Sequence, residues 1–263
     1  MKLIAKATLI FAVIQLVALI MGANFASANI SIVQNPADIS NSIYFFAIVI
    51  IMAVVLLAVL KFYKGKLLFL LLEILMEFSA VQIFLSLFTN DAISFTIAII
   101  AVAARLRFNW FKQPLLLFTT AVVGGLIGAS LNLLPAAILA FLLAGYDIVA
   151  VFYTKHMVTL AKGLGDRSTA FTMKVREGKH KLELGTGDIV IPAMLASAAN
   201  STGKQILVGN LIFTAPGIAA AAFSIIGMFA MLTYIMKHRG YWPALPPLVV
   251  SSAIGIGLAM LIA

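Results

Sequence analysis

An all-α, polytopic membrane protein built as a single domain is the fold class this sequence predicts, with nine spanning helices, the N-terminus in the cytoplasm and the C-terminus outside. Three observations predict it. Of the 263 residues, 63% are hydrophobic and only 10% charged, with a mean hydropathy of +1.13, against the ~25% charged residues usual in a water-soluble domain. The apolar residues fall in runs close to the ~20 residues that a helix needs to cross a bilayer. Lysine and arginine gather in every second connection between those runs, as they do in cytoplasmic loops.

In chain order the runs cover residues 3–26, 43–60, 67–88, 92–104, 114–133, 134–153, 188–201, 207–236 and 243–263. The fourth and seventh are short, and the fifth and sixth are divided only by a turn around 132–135. Basic residues stand at Lys2 and Lys6, at Lys61, Lys64 and Lys66, at Arg105, Arg107 and Lys112, at seven positions from Lys155 to Lys181, and at Lys237 and Arg239. The alternate connections carry only Lys204. If the fourth run did not span, the Arg105 loop would fall on the wrong side, so the alternation supports nine crossings. The domain then divides into a six-helix part (1–153), a cytoplasmic loop (154–187) and a three-helix part (188–263). A net charge of +9 belongs to these loops, which removes the argument for a nucleic-acid partner and leaves membrane lipids as the surroundings. The first run, with Lys2, Lys6 and Ala26-Ser27-Ala28, also has the outline of a signal peptide. Its ~20 apolar residues exceed the usual 7 to 15, so it is expected to remain as the first span.

No cysteine is present, which excludes disulfides, zinc-thiolate sites and a cysteine nucleophile. His156, His180 and His238 have no metal-ligand spacing, and neither metal nor organic cofactor is expected.

Ionisable groups are costly inside a bilayer and tend to be functional there. Four of the nine acidic residues fall in or at the lip of apolar runs: Glu73, Glu77, Asp147 and Asp188. Asp147 precedes Lys155 by eight residues, roughly 12 Å along a helix. Asp188 follows Lys181 by seven, so on antiparallel sixth and seventh helices the two carboxylates lie at one level. Two close carboxylates in low dielectric share a proton, and one can serve as base while the other serves as acid. That is the apparatus of aspartyl proteolysis. It is equally the apparatus of a proton, ion or solute pathway, and depth and pairing alone leave both open.

Around these residues stand Tyr146-Asp147, Gly185-Thr186-Gly187-Asp188 and Pro243-Ala244-Leu245-Pro246. In that order, on those runs, they closely resemble the YD, GxGD and PAL motifs of the presenilin and signal peptide peptidase family of intramembrane aspartyl proteases. The resemblance is clearest over 134–263; the first five runs match in number and character. The stretches around Asp147 and Asp188 look more like signal peptide peptidase, whereas PALP and the expected orientation look more like presenilin. The resemblance implies a presenilin-like fold, Asp147 and Asp188 as the catalytic pair, the PAL segment shaping the site, and transmembrane helices of other proteins as substrates.

Independent physical reasons exist for these neighbours. Gly185 and Gly187 leave room for a substrate backbone beside Asp188 and permit backbone angles that other residues avoid. Pro192 cannot donate to the Asp188 carbonyl, which loosens that turn, and Pro243, Pro246 and Pro247 do the same for the start of the last helix. Irregular backbone at membrane depth belongs where it lines a polar cavity, and hydrolysis needs water. Gly163-Leu164-Gly165-Asp166 also reads as GxGD, but Asp166 sits in the basic loop where no apolar run begins, so Asp188 is preferred.

Glu73 and Glu77 share one face of the third helix and read as a satisfied interhelical pair. Gly124 and Gly128 form a GxxxG pair for close helix packing, and Tyr146 is placed to hydrogen-bond near the pair of aspartates or to pack. Finally, Phe171, Met173 and Val175 alternate with polar residues, 176–179 reads as a turn, and Leu182 and Leu184 alternate again. That is a β-hairpin pattern whose second strand runs into Gly185 and offers a strand edge to an unwound substrate.

Overall fold

The computed structural model describes residues 2–63, 65, 67–153, 171–177, 180–209, 211–238 and 242–262. Among these residues there are nine α-helices: α1 (Lys2–Ser27), α2 (Ser40–Phe62), α3 (Leu67–Ser86), α4 (Asp91–Arg107), α5 (Lys112–Ser130), α6 (Leu133–Ile148), α7 (Thr186–Ala199), α8 (Ala215–Lys237) and α9 (Leu245–Ile262). Seven helices are long and apolar enough to cross a membrane, α5 counted from Asn109 and α6 through the turn to Tyr153; α4, with 17 residues, and α7, with 14, are shorter. The fold is that of an integral, multi-pass membrane protein, and large apolar side chains cover its outward surface.

The short α7 sits at the centre. Its sequence after Asp188 is apolar on every side, as expected of a helix enclosed all round, and α1, α5, α6, α8 and α9 all pack against it. Small residues make the enclosure possible. A Cβ on Gly124 would stand 2.8 Å from Ala193 Cβ, and one on Gly128 would stand 2.5 Å from Ser197 Cβ, so α5 and α7 approach as only glycine allows. Ser197 Oγ then donates to the Gly125 carbonyl across that contact at 3.1 Å. On the other face of α5, Gly125 lies against Ala18 and Gly22 of α1. The first helix is thereby built into the core, with Ala7, Phe11, Ala18 and Phe25 sealed from outside.

Two small sheets accompany the helices, the first of them the expected hairpin. β1 (Thr172–Glu177) pairs antiparallel with β2 (His180–Gly185), with Met173 opposite Leu184 and Val175 opposite Leu182. These four side chains are buried in one cluster with Phe11 of α1 and Ile189 of α7. The period-two alternation thus places one apolar face on the helices. A second hairpin, β3 (Gln205–Val208) with β4 (Leu211–Thr214), corrects the run 207–236, which was expected to be helical throughout. The helix starts only at Ala215. Gly209, at φ +62°, makes the turn between β-branched and aromatic flanks. Thr214 caps α8 through Gly217 N–H, and Pro216 closes the helix to any upstream extension. Asn200, at the end of α7, holds β4 by donating to the Ile212 carbonyl at 2.8 Å and accepting from Thr214 N–H at 2.7 Å.

Arg105 also differs from expectation. Read as a loop charge, it lies buried on α4 and pairs with both Glu73 and Glu77 of α3, the Nε to Glu77 Oε2 distance being 2.6 Å. An interhelical ion pair, with a cation that the apolar pattern does not single out, accounts for the two glutamates.

Candidate active site

Asp147 and Asp188 come from opposite helix ends. Asp147 occupies the last turn of α6, immediately before the backbone widens into a π-helical turn at Val149–Tyr153. Val149 N–H is shared between the Gly145 and Tyr146 carbonyls, and the π-helical turn that follows is of a kind common at functional sites. The Asp147 carboxylate is buried, and its Oδ2 accepts the Leu245 N–H at 3.1 Å. Leu245 is free to give that bond because it opens α9, where the first N–H groups have no partner within the helix. Pro246 and Pro247, which follow it, occupy positions that need no N–H.

Asp188 lies in the first turn of α7, directly after β2. Its carboxylate lies beside Gly185, close enough to Asp147 for the two charges to interact. Thr186 fixes this junction: its N–H and its Oγ1 both donate to the Phe171 carbonyl, at 3.2 and 3.3 Å. Gln113 of α5 donates to the Thr172 carbonyl at 3.2 Å. The hairpin is therefore tied to the helices at the point where the chain turns into Asp188.

Gly185 takes φ −63° and ψ 143°, and among the described glycines only Gly203 and Gly209 have positive φ. The unusual backbone angles expected at Gly185 and Gly187 are thus not used. Gly185 gives the Asp188 carboxylate room instead: a Cβ there would stand 3.2 Å from Asp188 Oδ2, closer than ordinary contact. Gly187 faces open space, with nothing within 4 Å of where its Cβ would be. Pro192 is buried inside α7 and leaves the Asp188 carbonyl without its helical donor.

Of the PAL residues, Ala244 and Leu245 are buried beside Asp147, while Pro243 leads into them and Pro246 lies in the first turn of α9. Tyr146 packs edge-on against Phe46 of α2, with ring centroids 6.4 Å apart. Asp166, with its own GxGD sequence, lies outside the described residues, as do positions 178 and 179 of the hairpin turn. One neighbour was not singled out from sequence. Gln15, buried on α1, donates to the Ile189 carbonyl at 3.4 Å, one residue beyond Asp188. Its signal was available as the one amide in the middle of the first apolar run.

Residues 8–263 match the family described as signal-peptide peptidase, presenilin aspartyl protease. The chain belongs to this family. The match takes in the early helices, which resembled the family only in number and character. Among solved structures, that of a presenilin family intramembrane aspartate protease superposes with a TM-score of 0.73, at 22% identity, over 99% of this chain and 99% of its own. A comparison with curated proteins finds no match. The presenilin-like architecture is thus shared through the whole chain, with α6, α7 and the start of α9 contributing the residues around the two aspartates.

Proposed function

We propose that this member of the signal-peptide peptidase and presenilin family hydrolyses peptide bonds inside the transmembrane helices of other proteins, with Asp147 and Asp188 as its acid and base. The observation that supports the reading is the placing of two carboxylates at the ends of α6 and α7, near enough for their charges to interact, with the Asp147 carboxylate held by Leu245 N–H. With one proton between them, the ionised carboxylate takes a proton from water as the oxygen attacks the peptide carbonyl, and the protonated carboxyl donates to the carbonyl oxygen. Collapse of the tetrahedral diol returns that proton and passes another to the leaving amine, restoring the starting state of the pair. A carboxylate-lined transport pathway finds no support in the family or the fold.

The reading extends to topology. All nine helices cross the bilayer, α4 and α7 included, with the N-terminus inside. At ~1.5 Å per residue, the 14 residues of α7 cover about 21 Å of a hydrocarbon layer ~30 Å thick. The β1–β2 hairpin fills the remaining depth below Asp188. A substrate helix, whose carbonyls are engaged until it unwinds, can add its extended segment to the hairpin edge by main-chain hydrogen bonds. Basic loops on the cytoplasmic side favour substrates whose N-terminus lies outside.

The deciding experiment incubates the purified chain with a reporter transmembrane peptide and identifies products by mass spectrometry. Asp147→Asn and Asp188→Asn should each abolish cleavage, whereas Asp166→Asn should retain it. Cleavage surviving either of the first two substitutions would sink the assignment, as would loss of cleavage in a folded Asp166→Asn chain.

A further inference from the structure

Four aromatic side chains gather where the chain leaves Asp147 and where it enters the PAL segment, and no motif accounts for them. Phe152 lies in the π-helical turn just beyond Asp147. Trp242 immediately precedes the PAL segment and meets Phe152 edge-on, with ring centroids 5.8 Å apart. Tyr234 of α8 also meets Trp242 edge-on, at 5.0 Å, and stacks on His238 at 4.2 Å; His238 itself lies 6.3 Å from Trp242. These separations fall in the range at which aromatic quadrupoles attract. Trp242 is half-buried, whereas Phe152 and Tyr234 are exposed on their outer rims.

The position of Trp242 along the chain gives the cluster its meaning. Three residues later, Leu245 delivers its N–H to Asp147 Oδ2. Pro243, between them, fixes its own φ and restricts the backbone of Trp242, so the orientation of the indole is passed stiffly to Leu245. α6 and α9 are then joined twice, by Leu245 N–H on the carboxylate and by Phe152 on Trp242. α8 adds to the second link through Tyr234.

We propose that Trp242 is a positioning residue for the reaction: held by its edge-on contacts with Phe152 and Tyr234, it aims the Leu245 N–H at Asp147 and thereby holds that carboxylate in register with Asp188. The proposal rests on the reading of Asp147 as catalytic. It assigns the effect to the rings and not to the indole N–H, which is buried without a hydrogen-bond partner among the described residues.

The test uses the full chain. Trp242→Leu should lower kcat for the reporter peptide roughly 10- to 100-fold, the scale of a displacement near 1 Å, with KM within about twofold because substrate contacts are unchanged. It should also weaken binding of a hydroxyl-bearing transition-state mimic by the same factor as kcat/KM. Trp242→Phe, which keeps a ring and loses the N–H, should recover most of kcat. Phe152→Leu should lower kcat several-fold and add little to Trp242→Leu, since the two substitutions break one link. The chain has two tryptophans, so in a Trp110→Phe background the emission of Trp242 alone can be read, and Phe152→Leu should shift it to longer wavelength without any proteolysis being needed. Wild-type kcat in Trp242→Leu overturns the proposal, and so does a Trp242→Phe variant as slow as Trp242→Leu. Should Trp242→Leu fail to fold, Phe152→Leu, altering a half-exposed ring, carries the same test, and wild-type kcat there overturns it. Absence of product from the wild-type chain is a separate result, which removes the catalytic reading itself.

Discussion

Gly128→Ala places one methyl group in the contact between α5 and α7, and its effect can be worked from the packing. The added Cβ would stand 2.5 Å from Ser197 Cβ and closer still to the Met194 carbonyl oxygen. Ordinary contact begins near 3.4 Å, so the first of these is 0.9 Å too short. The obstacle is mainly the backbone and Cβ of α7, which no rotamer change can move aside, so the helices must part by nearly 1 Å. α7 is enclosed on all sides and carries Asp188 six residues before Met194, about 9 Å along the axis at ~1.5 Å per residue. The displacement therefore reaches the aspartate nearly undiminished. Overpacking of this kind costs about 1–3 kcal/mol, and a 1 Å error in the reacting geometry costs about 100-fold in rate. Measured on the reporter peptide, kcat should fall about 100-fold, with a lowered Tm. Gly257→Ala, whose Cβ meets nothing within 4 Å, should change neither. A Gly128→Ala chain with wild-type kcat and Tm would refute the view that α5 sets the position of Asp188.

Other perturbations give distinct signatures. Arg105→Leu leaves Glu73 and Glu77 buried without their cation and should destabilise the chain by about 3–5 kcal/mol, whereas adding Glu73→Leu and Glu77→Leu to it should restore much of the loss; a single variant with unchanged Tm would contradict the pairing. Replacing 172–184 by a short flexible link should impair cleavage of the helical reporter more than binding of a small mimic directed at the aspartates, and full proteolysis after the replacement rules out the strand template. The rate should follow a bell-shaped pH profile, because only the singly protonated pair is competent; a flat profile from acid to alkali would exclude it. Asp38, in the connection before α2, accepts the Ser40 N–H at 2.8 Å, and this bond holds its carboxyl below the usual range. A depressed folded value means stabilisation that is complete above the unfolded-state value of about 3.9 and lost as pH falls through the folded one. Tm should thus decline less steeply in acid for Asp38→Asn than for the wild type, and equal slopes would contradict the assignment.

The long apolar runs were legible because each spanning helix must satisfy its own backbone in lipid, which ties sequence to structure locally. Met173, Val175, Leu182 and Leu184 were legible for the same reason, since alternation is a property of a few adjacent residues. Residues 207–214 were misread because apolarity in a membrane protein no longer separates strand from helix, and only Gly209 and Pro216 marked the change. Arg105 misled because a charge near a run's end reads as a loop residue until the glutamates on another helix are brought beside it. The same limit hid Phe152 and Trp242, which lie far apart in the chain and meet only once α6, α8 and α9 have packed. Asp147 and Asp188 stood out because so few carboxylates lie in apolar surroundings, but the Leu245 N–H that holds Asp147 belongs to the backbone and has no signature in side-chain identity.

Ser197 and Gly125, Gln15 and Ile189, and Leu245 and Asp147 all join early helices to late ones, the second pair across 174 residues and the third across 98. A ribosome delivers these partners in sequence. Both aspartates have entered the membrane while α8 and α9 are still unmade, and at that stage nothing from the PAL segment holds Asp147. On the proposed reading, a stalled or truncated chain carries the two carboxylates without the framework that makes them a protease. Competence then arrives only with the last helix, so unfinished copies are harmless to the other helices that share their membrane.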